Sequence, residues 1–121
     1  MKYKYSAKEA KKINKHGIDL TVYPTNIKSA NVVYVSLEKG HFQEFLDKKS
    51  WYIYYIIEGK GTFFLNGEKV EVQPTDILAI PPKTRIHYFG KMKMVLTTTP
   101  AFNPKNEEHI RFINESEASS K

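Results

Sequence analysis

The sequence predicts an all-β domain, closed into a sandwich or barrel, on three observations. Short runs of β-branched and aromatic residues recur between turn residues along the chain. Asn66-Gly67 stands between two strand-like runs in TFFLNGEKVEV (62–72), and both central residues of a type I′ hairpin turn need φ > 0, which Asn and Gly tolerate best. A chain this rich in strand formers has edges to hide, and closing the sheet hides them. The 121 residues suit one domain with one core, and an apolar fraction of 40% with eight Tyr and seven Phe suits a packed chain, not a disordered one.

The elements follow in order. Ser6-Ala7-Lys8-Glu9 has the S-x-x-E form of a capping box and predicts a short helix, with Gly17 placed to end it. Residues 1–16 are therefore read as a basic helical segment and 17–114 as the β domain. IDLTVYP (18–24) begins the β pattern, and NVVYVSLEKG (31–40) puts Val33, Val35 and Leu37 on one face. Trp51 to Ile57 is an apolar run of strand length that closes at Glu58-Gly59. The Asn66-Gly67 hairpin follows, then a turn at 74–76, a short buried strand ILAI (77–80) stopped by Pro81-Pro82, and two further β runs, RIHYFG (85–90) and KMKMVLTTTP (91–100). After a loop at 101–108, HIRFI (109–113) reads as a last strand and residues 115–121 as a polar tail.

Composition excludes several classes. The chain has no cysteine, so neither a disulfide framework nor a thiolate metal site is expected. MKYKYSAKEAKK lacks the apolar stretch of a secretion signal, and no apolar run approaches the roughly 20 residues that span a bilayer, so a cytoplasmic protein with no membrane contact is expected. The formal charge is +6, but six of the nineteen basic residues against one of the thirteen acidic ones fall within residues 1–16, leaving thirteen against twelve elsewhere. A body this close to neutral lacks the basic face of a nucleic-acid binder.

Gly40 to Gly61, GHFQEFLDKKSWYIYYIIEGKG, carries a recognisable frame. It resembles the first motif of the cupin family of small jelly-roll barrels, G-x5-H-x-H-x3-E-x6-G, with both glycines at the right intervals (Gly40 and Gly59). TDILAIPPKTRIHYF is similar to the second motif and supplies Asp76, Pro81 and Thr84 in order. The resemblance covers about residues 31–102 and implies a cupin-type jelly roll. Cupins with the full motif hold one divalent metal through three His and one Glu. Here the ligand positions carry Leu46, Lys48 and Tyr52, which are an alkyl group, a cation and a phenol protonated up to pH ~10. Ile86 takes the fourth slot in an ungapped register, with His87 one place later, and which of the two faces inward stays open. The expectation is a barrel with no metal and no cofactor. His16, His41 and His109 form no metal-binding pattern and are read as ordinary surface or hydrogen-bonded histidines.

If Tyr52 faces inward, Tyr54 and Ile56 do too, while Trp51, Ile53, Tyr55 and Ile57 face out. That apolar outer face would be covered by the chain's own first strands or by a second copy, and a homodimer is expected. Inside, Tyr52 and Tyr54 would wall a small-molecule pocket, with Phe42, Glu44 and Lys48 near the mouth and Arg85 or His87 opposite. Aromatic faces suit a sugar ring, and Lys48 and Arg85 suit a phosphate or carboxylate. Three functions compete. The first is a metal-independent cupin binding a small polar or anionic metabolite, such as a sugar derivative. The second is a sugar isomerase, epimerase or lyase using His87 with Tyr52 or Tyr54, which fails if His87 points outward. The third is a non-catalytic interaction or sensory barrel, packed shut.

Overall fold

A computed structural model describes residues 1–119, and the side chains of 1–117. Among the described residues nine strands form one sheet: β1 (Lys11–Lys15), β2 (Ile18–Val22), β3 (Asn31–Leu37), β4 (Gly40–Asp47), β5 (Trp51–Leu65), β6 (Glu68–Val72), β7 (Ile77–Ile80), β8 (Ile86–Thr99) and β9 (Glu107–Phe112). All pairings are antiparallel. β5 and β8 are long enough to belong to both walls of the curled sheet. Their outer halves, Trp51–Ile56 and Met94–Thr99, join β3 and β7 in one wall. Their other halves join β4 and β6 in the second wall, and β9 continues it. The result is a jelly-roll barrel whose core holds Val35, Ile56, Phe63, Tyr54, Tyr88 and Met94, all nearly inaccessible to water.

The bend in the β5–β8 pair is where the frame glycines act. The register slips between Ile56 and Glu58, and Gly59 follows with φ +84. A Cβ on Gly59 would overlap the Lys91 carbonyl oxygen of the facing strand, so position 59 needs glycine for both its backbone and its clearance. A Cβ on Gly40 would stand 2.7 Å from Phe89 Cδ1, so that interval also records a close approach between strands.

The N-terminus corrects the expectation of a helix from Ser6 to Gly17. The capping box forms, with Glu9 reaching back to the Ser6 N–H at 2.7 Å, but it opens only a 3-10 turn over Ala7–Glu9. Lys11–Lys15 is strand β1, paired with β2 through a hairpin whose turn is His16 (φ 47) and Gly17 (φ 96). Gly17 thus serves a two-residue hairpin turn, the same device as Asn66-Gly67 (φ 53 and 83). Trp51–Ile57 and the two β runs 85–90 and 91–100 are parts of longer strands. Of the polar tail, Glu115–Ser119 is a short helix, α1, and residues 120 and 121 lie outside the described residues. Among the described residues no helix is long and apolar enough to cross a membrane.

Candidate functional site

A cavity of about 300 Å³ opens between the two walls, large enough for one small molecule. Its buried end is aromatic. Tyr54 from β5, Tyr88 from β8 and His41 from β4 meet there, each 2% exposed or less. The His41 and Tyr88 ring centroids are 5.4 Å apart, and those of Tyr54 and Tyr88 are 5.8 Å apart. Phe63 stacks behind Tyr88 at 4.5 Å and holds its ring in place. Phe45, 5.4 Å from His41, and Tyr52 continue the wall toward the opening.

His41 owes its state to this setting. Burial removes the water that would solvate an imidazolium, and its pKa is lowered to about 3 against a partial pull upward from the His16 backbone carbonyl. The ring is therefore neutral across the physiological range. His41 Nδ1 lies 3.3 Å from the His16 carbonyl oxygen. A carbonyl only accepts, so Nδ1 carries the proton in this contact and Nε2 keeps its lone pair. Burial pushes the Tyr54 and Tyr88 phenols well above their ordinary pKa, and Tyr54 further through its contact with Tyr88. Both therefore stay protonated and can donate.

The opening is polar. Lys15 Nζ donates to both carboxylate oxygens of Glu107, at 2.6 and 2.9 Å, and lies 5.8 Å from the Phe102 ring centroid. Asn31 Oδ1 accepts the Phe102 N–H at 2.6 Å. Asn31, Lys15, Phe102 and Glu107 all line the cavity.

The expected site residues divide between this cavity and places outside it. Tyr52 and Tyr54 line it, as the strand alternation implies. The Tyr52 hydroxyl, however, donates to Asp47 Oδ2 at 3.4 Å, while Asp47 Oδ1 accepts the Lys49 and Ser50 N–H groups at 2.9 and 2.8 Å. Burial and then the Asp47 charge hold the Tyr52 phenol protonated, so it anchors the β4–β5 turn and is a poor candidate for proton transfer. His87 does not face the cavity. It alternates with Tyr88 on β8, lies flat on Phe64 at 4.8 Å on the opposite face of the strand, and sits 3.5 Å from Glu44. Ile86 is the inward-facing residue. The lyase or isomerase reading built on His87 is corrected accordingly.

Glu44 and Arg85 stand together with His87 outside the cavity. The buried Glu44 carboxylate accepts from Arg111 Nε at 3.2 Å and lies 3.7 Å from Arg85 Nη1. That cluster ties β4 to β8 and β9. Phe42 is half-buried against Gly17 and does not line the cavity, and Lys48 is exposed in the β4–β5 turn. Leu46 shares their outward parity on β4, whereas His41 and Phe45 face in. The positions where a cupin holds its metal thus offer neither imidazole nor carboxylate, and among the described residues no group of three or more His, Asp or Glu is placed to hold an ion. This donor set does not fit a metal.

His41, Tyr88, Lys15 and Glu107 were not among the expected site residues. The available signal for His41 was its place five residues before Leu46 on the same strand, with odd parity. The barrel is also not packed shut, contrary to the sensory-module expectation.

The profile of the AraC-like ligand-binding domain family matches residues 40–89. The chain is similar to Pac13, described as a unique nucleoside dehydratase with a β-barrel. The two share 57% identity over 97% of this chain and 98% of that one, with a TM-score of 0.95. A Streptomyces Pac13 with one histidine replaced by glutamine, solved with uridine, is 56% identical over 97% and 98% of the two chains, with the same TM-score of 0.95. KdgF from Halomonas sp., at 16% identity over 87% and 99% and a TM-score of 0.73, shares the fold. An uncharacterised protein of Methanocaldococcus jannaschii is 38% identical over 60 residues, a match that spans 46% of this chain and 48% of that protein, about half its length.

Proposed function

The chain belongs to the cupin superfamily, and within that fold we propose that it is a metal-independent enzyme that removes water from a nucleoside, with His41 as the base. The carrying observation is a neutral imidazole at the buried end of the cavity. Its Nδ1 is tied to the His16 carbonyl, and two protonated tyrosines stand beside it. The likeness to a nucleoside dehydratase at 57% identity supports the reading, as does the binding of uridine by Streptomyces Pac13. In that protein the replaced residues include one histidine and two tyrosines, the types that meet at the end of this cavity.

Elimination of water needs a base for a proton on one carbon and a proton for the hydroxyl leaving the next. His41 Nε2 takes the first proton, and the C–H electron pair becomes the new C=C bond. The C–O electrons leave with the hydroxyl. The imidazolium formed in so dry a place is strongly acidic and returns its proton to that hydroxyl, which departs as water. One group thus serves as base and then acid on one face of the substrate. A base this weak requires a C–H acidified by a neighbouring carbonyl. Tyr54 and Tyr88 hold the substrate oxygens as donors.

The test has two parts. Wild-type protein is titrated with uridine, and turnover of a uridine derivative with a carbonyl on its sugar is followed by mass spectrometry as loss of one water. His41→Gln should keep the fold and uridine binding and lose turnover by 10²–10⁴-fold. Full activity in that variant would refute the assignment.

We further infer that the outer face formed by Trp51, Tyr55, Ile57 and Ile77 is covered by a second copy of the chain. Each of these side chains is at least 40% exposed; Trp51, Tyr55 and Ile57 lie on one strand, and Tyr55 faces Ile77 across the β5–β7 pair.

A further inference from the structure

We propose that the cavity mouth is the nucleobase subsite, and that Asn31 reads the ring substituent farthest from the sugar, accepting a 4-oxo pyrimidine and rejecting a 4-amino one. This rests on the nucleoside reading above and deepens it. The hydroxyls that can leave a nucleoside belong to its sugar. The base and proton donors, His41, Tyr54 and Tyr88, lie at the buried end, so the sugar enters first and the nucleobase stays at the opening. There it meets Asn31, Phe102, Lys15 and Glu107. Lys15 and Glu107 neutralise each other through two hydrogen bonds, which leaves the rim without an unpaired cation and suits an uncharged ring better than a phosphate.

Asn31 turns its oxygen to the Phe102 N–H and keeps its amide hydrogens as donors. A backbone N–H cannot accept, so the Asn31 atom 2.6 Å from the Phe102 N–H is the side-chain oxygen, and the amide orientation is fixed by chemistry. The Nδ2 hydrogens remain for the cavity, in the inward-facing row that Asn31 shares with Thr98 and Tyr52. In a pyrimidine attached to the sugar through N1, C4 lies across the ring from N1, so its substituent points from the sugar toward the rim. A carbonyl there accepts from Nδ2. An amino group sets hydrogens against hydrogens and leaves both groups unpaired, a mismatch that costs far more than a missing contact.

The experiment is calorimetric titration of the wild-type protein with uridine and with cytidine. We expect uridine to bind at least about tenfold more tightly. Asn31→Asp keeps an acceptor for the Phe102 N–H and presents an acceptor to the ring, so in that variant the preference should reverse. Equal binding of the two nucleosides by the wild type, or an unchanged order in Asn31→Asp, overturns the base-reading assignment and leaves the nucleoside function standing. Binding of neither by the wild type overturns both. The wild-type comparison decides the matter alone if Asn31→Asp does not fold.

Discussion

Replacing His41 by glutamine and following stability against pH tests the electrostatics of the site with no substrate present. The His41 pKa falls from 6.5 to about 3 on folding, chiefly through burial. Between those values the unfolded chain binds a proton that the native state refuses, so stability rises with pH through this window. The contribution is complete above about pH 7 and is lost as pH falls toward 3. At pH 5 protonation favours the unfolded chain by about 2 kcal/mol, and across the whole window by about 5 kcal/mol. Urea unfolding of wild type and His41→Gln at pH 8 and pH 5 reads the difference. His16, His87 and His109 are present in both proteins and cancel. The wild type should lose about 2 kcal/mol more than the variant between the two pH values. Parallel losses would show that the native imidazole is hydrated or already charged at pH 5, and the neutral-base argument would fail.

Three further outcomes follow from the fold. Gly59→Ala should destabilise by about 3 kcal/mol or more in urea unfolding, because its Cβ overlaps the Lys91 carbonyl and φ is +84. Lys83 occupies a left-handed conformation (φ 69), so Lys83→Gly should stabilise by about 1 kcal/mol in the same assay. Trp51→Glu combined with Ile57→Glu should halve the mass seen by light scattering with little change in circular dichroism; a wild-type monomer would refute the second-copy proposal.

What the sequence made legible was spacing, and what it hid was parity. The glycine intervals, the Asn66-Gly67 turn and the strand runs report local backbone needs that survive in a single sequence, and the jelly roll follows from them. On β5 the inward set Tyr52, Tyr54 and Ile56 was also readable, because one long apolar run leaves one consistent alternation. On β4 both parities carry aromatic and polar residues. Counting from the frame placed Phe42, Glu44, Leu46 and Lys48 on the working side, and the structure puts His41 and Phe45 there. A one-residue error in a strand exchanges every side chain between its faces, so a single parity choice removed His41 from view and brought in Glu44. The same ambiguity on β8 resolves as Ile86 and Tyr88 inward and His87 outward. The capping box at Ser6 was a sound local signal, but the hairpin pairing of β1 with β2 overrode continuation of the turn into a helix.

The rings packed around His41 set its basicity. Phe45 and Tyr88 lie against the imidazole, each with its ring centroid 5.4 Å away, and they exclude the water that would hydrate a charged His41. Burial is the largest cause of the lowered pKa. Phe45 is the most direct probe, since its ring centroid lies 5.4 Å from that of His41. Phe45→Asn admits water and a polar amide beside the imidazole. The His41 pKa, read from its ring proton shift by NMR, should rise by about one unit or more, and the stability lost between pH 8 and pH 5 should shrink with it. If the pKa stays near 3 in that variant, the apolar lining is not what keeps the imidazole neutral, and the neighbouring positive charge of Lys15 must carry the effect.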